Sequence, residues 1–184
     1  MSPILDLVTI GERFRTVYAL PPAAAASVAS LLSVCDVSSL EDGEVLFTER
    51  EQGFTAYFLL SGKIGVSRRD ALGYVLNVST LSAPTLLGHM SLVDDSPRSA
   101  TCTAIGPCVV AAMDRARFQA LVAADGPRGS VLRRLLIAAM SEQLAGANGR
   151  ILALIDPPPD FPADDETTEH GIEEAAHVLD GWKG

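Results

Sequence analysis

Several features that mark common classes of protein are scarce in this chain. No run of about 18 apolar residues is free of charged side chains, so we expect no membrane-spanning helix. The start of the chain carries Asp6 instead of the basic residues and apolar stretch of a secretion signal, and we expect a cytoplasmic protein. The only cysteines, Cys35, Cys102 and Cys108, stand apart in apolar segments without zinc-site spacing, which predicts reduced, buried thiols.

Motifs of catalytic sites are also missing. The sequence contains no Gly-x-Ser-x-Gly elbow, no Walker loop and no His-Glu-x-x-His. Its three histidines, His89, His170 and His177, are dispersed. The paired acids at 94–95 and 164–165 are typical of solvated turns and tails, because no second feature marks them as an acid/base pair. The prediction is a protein that is not an enzyme and has no metal site.

Positive charge is scarce, with 14 Lys and Arg against 23 Asp and Glu and a net charge of −9. Residues 156–184 hold nine acidic side chains and one lysine, so this segment accounts for −8 of that total. Attraction to phosphates supplies most non-specific nucleic-acid affinity, and no pair of basic helices can be drawn after residue 155. Direct DNA binding is therefore not expected.

Apolar residues make up 48% of the chain, enough for one core, and their spacing divides it into four parts. Residues 1–36 are predicted to be helical, with Phe14, Val17 and Leu20 on one face, followed by an alanine-rich amphipathic helix. Residues 37–125 read as short strands, with a hairpin at Ser61-Gly62 and a break at Gly106-Pro107. A helix capped by Asp114 closes this part. The pattern predicts a mainly β fold of the jelly-roll kind, flanked by helices.

The C-terminal third changes character again. Residues 126–155 are predicted to form one long helix after Gly126-Pro127. Residues 156–184 begin with three prolines and form an acidic tail, in which residues 172–182 outline a short amphipathic helix. We expect that helix either to bind a partner from a tether or to dock on its own domain.

The most informative segment lies between two predicted strands, from Gly88 to Thr101. A glycine before a short helical turn exposes backbone N–H groups, and Arg98 can grip phosphate oxygens with two N–H groups. Ser99 would add a hydroxyl and a further N–H. On the residues alone an alternative stands beside this one, in which Arg98 pairs with Asp94 or Asp95 at a turn and Gly88 only permits a bend.

This segment resembles the phosphate-binding cassette of the cyclic-nucleotide-binding domain family, of the catabolite-activator-like type. Gly88-x-Met90-Ser91-Leu92 and the run from Pro97 to Thr101 match the cassette, and Gly43–Phe47, Tyr57–Ile64 and the helix after Asp114 match its surroundings. The resemblance covers about residues 14–150. It implies a double-stranded β-helix (jelly roll), a regulatory role without catalysis, and cyclic AMP or cyclic GMP as ligand. The implied ligand-binding residues are Gly88, His89, Met90, Ser91, Arg98, Ser99 and Ala100.

His89 departs from that pattern, in which a glutamate accepts a hydrogen bond from the ribose. A neutral imidazole accepts one bond and carries no negative charge. Two interpretations are open: His89 admits another anion or makes binding depend on pH near neutrality, or the pocket has lost its ligand and His89 bonds locally. The functional hypotheses are accordingly a sensor of a small anionic ligand that signals to a protein partner, and a ligand-free adaptor with a degenerate pocket.

The long helix carries a wide apolar stripe. Such a stripe exceeds what one narrow buried face needs, which predicts a homodimer paired along it. The alternative is that the stripe packs back over the β-roll as a lid. Its residues are Leu132, Leu135, Leu136, Ala139 and Leu144.

Overall fold

The computed structural model describes residues 6–155, and the predicted tail helix at 172–182 lies outside them. Two helices, α1 (Leu7–Val17) and α2 (Ala24–Leu32), precede the sheet. Asp6 caps α1 by accepting from the N–H groups of Val8 and Thr9. Phe14 and Leu20 are buried as predicted, but Val17 is 49% exposed, because the helix ends there and Ala19 (φ 47°) turns the chain.

Six antiparallel strands follow. They are β1 (Asp36–Leu40), β2 (Val45–Phe47), β3 (Thr55–Arg69), β4 (Val75–Ser82), β5 (Thr85–Leu87) and β6 (Thr101–Asp114). The order is β1-β6-β3-β4, while β2 pairs with β6 and β5 pairs with β3. The fold is the predicted jelly roll with flanking helices.

Two details of the strand prediction were wrong. Residues 57–67 are not a hairpin around Ser61-Gly62, because β3 runs through that point and pairs with β6 on both sides of it. Gly62 has φ +91° and marks an irregularity in the ladder, and a Cβ there would lie 2.6 Å from the Cys108 sulfur. Likewise β6 continues through Gly106-Pro107 as a single strand.

Three more helices complete the described chain. α3 (Met90–Val93) is a single turn between β5 and β6, α4 (Arg115–Ala123) follows β6, and α5 (Pro127–Ile155) is long. Asp114 caps α4 by accepting from the N–H of Arg117 at 2.8 Å, as predicted. α4 ends at Ala123, three residues before the predicted break, and Pro127 starts α5, since proline is well tolerated in a first turn.

The stripe of α5 does not form the exposed seam that the dimer prediction requires. Leu132, Leu135, Leu136 and Ala139 are at most 7% exposed and belong to the main core cluster of their own chain, together with side chains of α1, α2 and the sheet. Leu144 is 64% exposed. The alternative of packing back on the chain's own domain therefore describes four of the five residues.

A second, smaller core fills the interior of the roll. It contains two of the cysteines, Cys102 and Cys108, which are buried and free, while Cys35 is half-buried beside the first core. Burial raises the pKa of the Cys35 and Cys102 thiols to about 12. The other members of this second core are Leu40, Phe47, Leu59, Ile64, Leu87, Ala104 and Val110.

Candidate functional site

The cassette segment connects β5 to β6 through α3. Gly88 has φ +65° and lies so close to the Arg98 guanidinium that a Cβ would collide with it. α3 follows at Met90, and the chain then loops through Asp95 to reach Arg98 and the start of β6. The glycine is therefore required both by its backbone conformation and by its contact with the arginine.

Arg98 is held inside the protein and is only 4% exposed. Its Nη1 donates to the Gly88 carbonyl at 2.6 Å and its Nη2 to the Thr55 carbonyl at 2.7 Å. The guanidinium carbon lies 4.3 Å from the centre of the Phe47 ring, a cation–π arrangement, and Phe47 in turn stacks on Tyr57. Burial lowers the pKa of Arg98. These contacts hold the positively charged guanidinium against the backbone of Gly88 and Thr55.

The predicted alternative partners of Arg98 are engaged elsewhere. Asp94 accepts from the N–H and hydroxyl of Ser96, and Asp95 forms an ion pair with Arg115. Within residues 6–155, Arg98 pairs with no carboxylate, and its Nε has no hydrogen-bond partner. The turn-pairing interpretation of Arg98 is therefore wrong, and its charge is buried without an opposite charge bonded to it.

His89 is the second buried polar side chain of the cassette. It is 0% exposed, and neither imidazole nitrogen has a hydrogen-bond partner among the described residues. Burial lowers the pKa of His89 to about 4, so the ring is neutral at pH 7. A pKa near 4 contradicts the predicted titration near neutrality, and no described residue supplies the predicted local hydrogen bond. The admission of another anion stays a prediction.

The remaining predicted residues divide between interior and surface. Ser91 is 2% exposed and Ala100 is 8% exposed, so both lie with His89 and Arg98 in the interior. Met90 is half-buried, and Ser99 is exposed. The structure thus brings Gly88, His89, Ser91 and Arg98 together and leaves Ser99 at the surface.

One cavity in the described region lies beside the cassette. It measures about 500 Å³ and touches the segment only at Thr101, while β2, the loop after it and the β3–β4 turn supply the other lining residues. The other cavity, about 330 Å³, lies where α4 meets α5. Neither of these two cavities is lined by His89 or Arg98, and both side chains are buried, at 0% and 4% exposed.

Comparison with known proteins matches this geometry to a family. The family's sequence model for the cyclic nucleotide-binding domain matches residues 37–125, which contain the whole sheet and the cassette. The β-roll is a cyclic nucleotide-binding domain.

Relatives of this domain are regulatory proteins. The chain is 32% identical over 108 residues to a cAMP-dependent protein kinase regulatory subunit of Dictyostelium discoideum, covering 57% of this chain and 32% of that protein. It is 28% identical over 130 residues to a CRP-like cAMP-activated global transcriptional regulator of Mycobacterium tuberculosis, covering 70% and 56%. The chain therefore spans about a third to just over half of these relatives.

A solved structure supports the fold. A cyclic nucleotide-binding domain from Methylobacillus flagellatus superimposes with a TM-score of 0.69 at 20% identity, covering 83% of this chain and 88% of that one. No helix in the described part of the chain is long and apolar enough to cross a membrane.

Sequence reasoning missed several residues that hold the cassette in place. A Cβ on Gly53 would lie 2.6 Å from the Ser91 Cβ and 2.7 Å from the Arg98 guanidinium carbon, so the backbone of this loop touches the cassette directly. Thr55 and Phe47 hold Arg98, and Arg115 holds Ser91. None of these contacts has a local sequence signal, because Gly53 and Thr55 act through their backbone and Arg115 contacts residues at least 20 positions earlier in the chain.

Proposed function

We propose that this chain is a non-catalytic regulatory module whose cassette binds a small anionic ligand, a cyclic nucleotide in the first instance, and signals its occupancy to a protein partner. The observation that supports this is the state of Arg98. A buried guanidinium is costly unless an opposite charge compensates it, and here two backbone carbonyls supply only partial negative charge. An anion beside Arg98 would supply the missing charge.

His89 adds to the argument. Buried polar atoms without partners are rare in folded proteins, and here both imidazole nitrogens and the Arg98 Nε fall within one segment. A ligand with both an anionic group and hydroxyl groups would supply a partner to each side chain: the phosphate to Arg98, and a hydroxyl donating to the unprotonated nitrogen of His89. Cyclic AMP and cyclic GMP have this composition. The two curated relatives, whose names refer to cAMP, point to the same ligand class.

The second candidate function is a ligand-free adaptor. The burial of the cassette favours it, since His89 is 0% and Ser91 is 2% exposed. In that case Arg98 is a structural residue that ties the cassette to β3, and the surface alone carries the interaction with a partner.

Calorimetric titration with cyclic AMP and cyclic GMP separates the two functions. We expect saturable binding to the wild type and at least a tenfold loss of affinity in Arg98→Ala, because one charge-assisted hydrogen bond contributes about 1.5–3 kcal/mol. Arg133→Ala is the matched control: Arg133 also donates to two carbonyls, those of Val122 and Ala124, outside the cassette. Absence of binding by the wild type would favour the adaptor, and unchanged affinity in Arg98→Ala would place the ligand elsewhere.

His89→Glu tests the ribose contact. A carboxylate at this position would accept a hydrogen bond from a ribose hydroxyl more strongly than a neutral imidazole does. We expect tighter binding of the cyclic nucleotide. Unchanged or weaker binding would mean that the histidine is not what limits affinity.

The partners and the location of this module are also proposals. We propose that it acts in the cytoplasm through protein contacts. Direct DNA contact is not part of the proposal, because a net charge of −9 repels phosphate backbones.

Self-association remains a prediction, but it cannot use the buried face of α5. Exposed apolar side chains of that helix include Ile137, Met140 and Leu144. Light scattering at micromolar concentration checks it, and a monomeric mass would contradict it.

A further inference from the structure

A second arginine, Arg115, holds the cassette in place and is not among the predicted ligand-binding residues. Arg115, the first residue of α4, donates from Nη2 to the Ser91 carbonyl at 2.8 Å and to the Gly53 carbonyl at 3.0 Å. Its Nη1 pairs with the Asp95 carboxylate. One guanidinium therefore joins three parts of the chain: α3, the loop after it, and the segment leading into β3.

The two arginines hold the same short segment from different sides. Arg98 bonds the Thr55 carbonyl, while Arg115 bonds the Gly53 carbonyl with its side chain and the Phe54 carbonyl with its backbone N–H, at 2.8 Å. The Arg115 guanidinium also lies 5.4 Å from the centre of the Phe54 ring. Three consecutive carbonyls are thus bonded to two arginines, so a displacement of Arg98 moves the segment on which Arg115 is anchored.

Asp95 contributes backbone strain to this arrangement. It has φ +59°, a conformation that costs a residue with a side chain free energy unless its surroundings hold it there. Here the ion pair with Arg115 fixes its carboxylate, and Gln52 donates to its carbonyl at 3.4 Å. Losing the Arg115 contact would let this loop relax.

We propose that Arg115 is the positioning residue that locks the cassette onto β3 and, as the first residue of α4, transmits the cassette's displacement to that helix. It acts through Ser91, Asp95 and Gly53 rather than on the ligand. The locking role is independent of any ligand, whereas the transmission role rests on the function proposed above.

Amide hydrogen exchange on the full chain tests the locking role without ligand. The N–H groups of Leu92 and Val93 bond the His89 carbonyl, and that of Asp94 bonds the Met90 carbonyl, so they report on α3. In Arg115→Ala we expect these amides to exchange about tenfold faster, because charge-assisted hydrogen bonds that hold the turn are lost. The matched control is Arg117→Ala on the same helix, since Arg117 bonds Val34 and Asp36 and does not contact the cassette.

Two milder variants separate the contacts of Arg115. Arg115→Lys keeps the charge near Asp95 but cannot bond both carbonyls as a planar fork does, so we expect intermediate exchange. Asp95→Asn keeps the left-handed backbone and removes only the ion pair, and we expect faster exchange confined to the loop. These variants also carry the test if Arg115→Ala does not fold. Equal cassette exchange in the Arg115 variants and in Arg117→Ala would overturn the locking role.

The transmission role is tested by adding saturating cyclic AMP. We expect it to slow exchange of the α4 amides in the wild type and in Arg117→Ala, and we expect that response to disappear in Arg115→Ala even at concentrations that fill the site. A full α4 response in Arg115→Ala would overturn transmission. A wild type that binds no cyclic nucleotide, while Arg115→Ala still loosens α3, would refute the proposed function and the transmission and leave the locking role standing.

Discussion

Acid should destabilise this protein earlier than its carboxylates alone would, because of His89. The ring is 0% exposed, and burial holds its pKa in the folded protein at about 4, against 6.5 for an unperturbed histidine. Between these two values the unfolded chain binds a proton that the folded chain does not. Stability is therefore fully present above pH 6.5 and is lost as the pH falls toward 4.

The size of the effect follows from the two pKa values. At pH 7 about a quarter of the histidine in the unfolded chain is protonated and almost none in the folded chain, so the contribution is only about 0.2 kcal/mol. At pH 5 the unfolded histidine is largely protonated while the folded one remains neutral, which favours unfolding by about 2 kcal/mol. That loss is a large fraction of a typical domain stability of about 5–15 kcal/mol.

Urea unfolding at pH 7 and pH 5 measures this loss. We expect the wild type to lose about 2 kcal/mol more than His89→Gln between these pH values, since glutamine does not titrate and the carboxylates contribute equally to both proteins. The double variant His170→Gln/His177→Gln is the control and should behave as the wild type, because it retains His89. Equal pH dependence of the wild type and His89→Gln would refute the reasoning, as would an NMR titration of the wild-type ring with a pKa near 6.5.

Three further predictions concern packing. Gly53→Ala should destabilise the protein by about 1–3 kcal/mol in urea unfolding, because its methyl group would overlap Ser91 and Arg98; unchanged stability would contradict this. Leu132→Ala should cost about 2–5 kcal/mol, whereas exposed Leu144→Ala should change stability by less than about 0.5 kcal/mol, and similar losses would contradict the burial pattern of α5. The Cys102 thiol should react with a thiol reagent at pH 8 only after unfolding, since burial raises its pKa to about 12; rapid native labelling followed by peptide mapping would contradict this.

Element types were predictable from the sequence where a single period dominates. The core face of α2, the short strand β2 and the capped helix α4 follow from apolar spacing and from Asp114. Strand continuity was not predictable in the same way. Gly62 and Gly106, both with positive φ, are turn signals by residue type, yet here they are irregularities inside long paired strands. The decisive information is the partner strand, which local sequence does not contain.

The cassette was predictable as a segment but not as a set of contacts. Gly88 and Arg98 were singled out together because their residue types and spacing suggest a phosphate grip, and the structure places them in direct contact. What the spacing could not indicate is where the arginine's other N–H groups go. Thr55 lies 43 residues earlier in the chain and binds through its backbone carbonyl, so its residue type carries no signal for this contact.

The width of the α5 stripe has a physical explanation within a single chain. A helix that covers one flat surface needs only a narrow apolar face, but Leu132, Leu135 and Leu136 share one core cluster with side chains from α1, α2 and the sheet. Arg133, on the same part of α5, also bonds the carbonyls of Val122 and Ala124 at the end of α4, at 2.7 and 3.0 Å. The N-terminal part of α5 is therefore anchored to both the core and α4. Any rearrangement of α4 therefore has to be accommodated by α5 or by breaking these bonds.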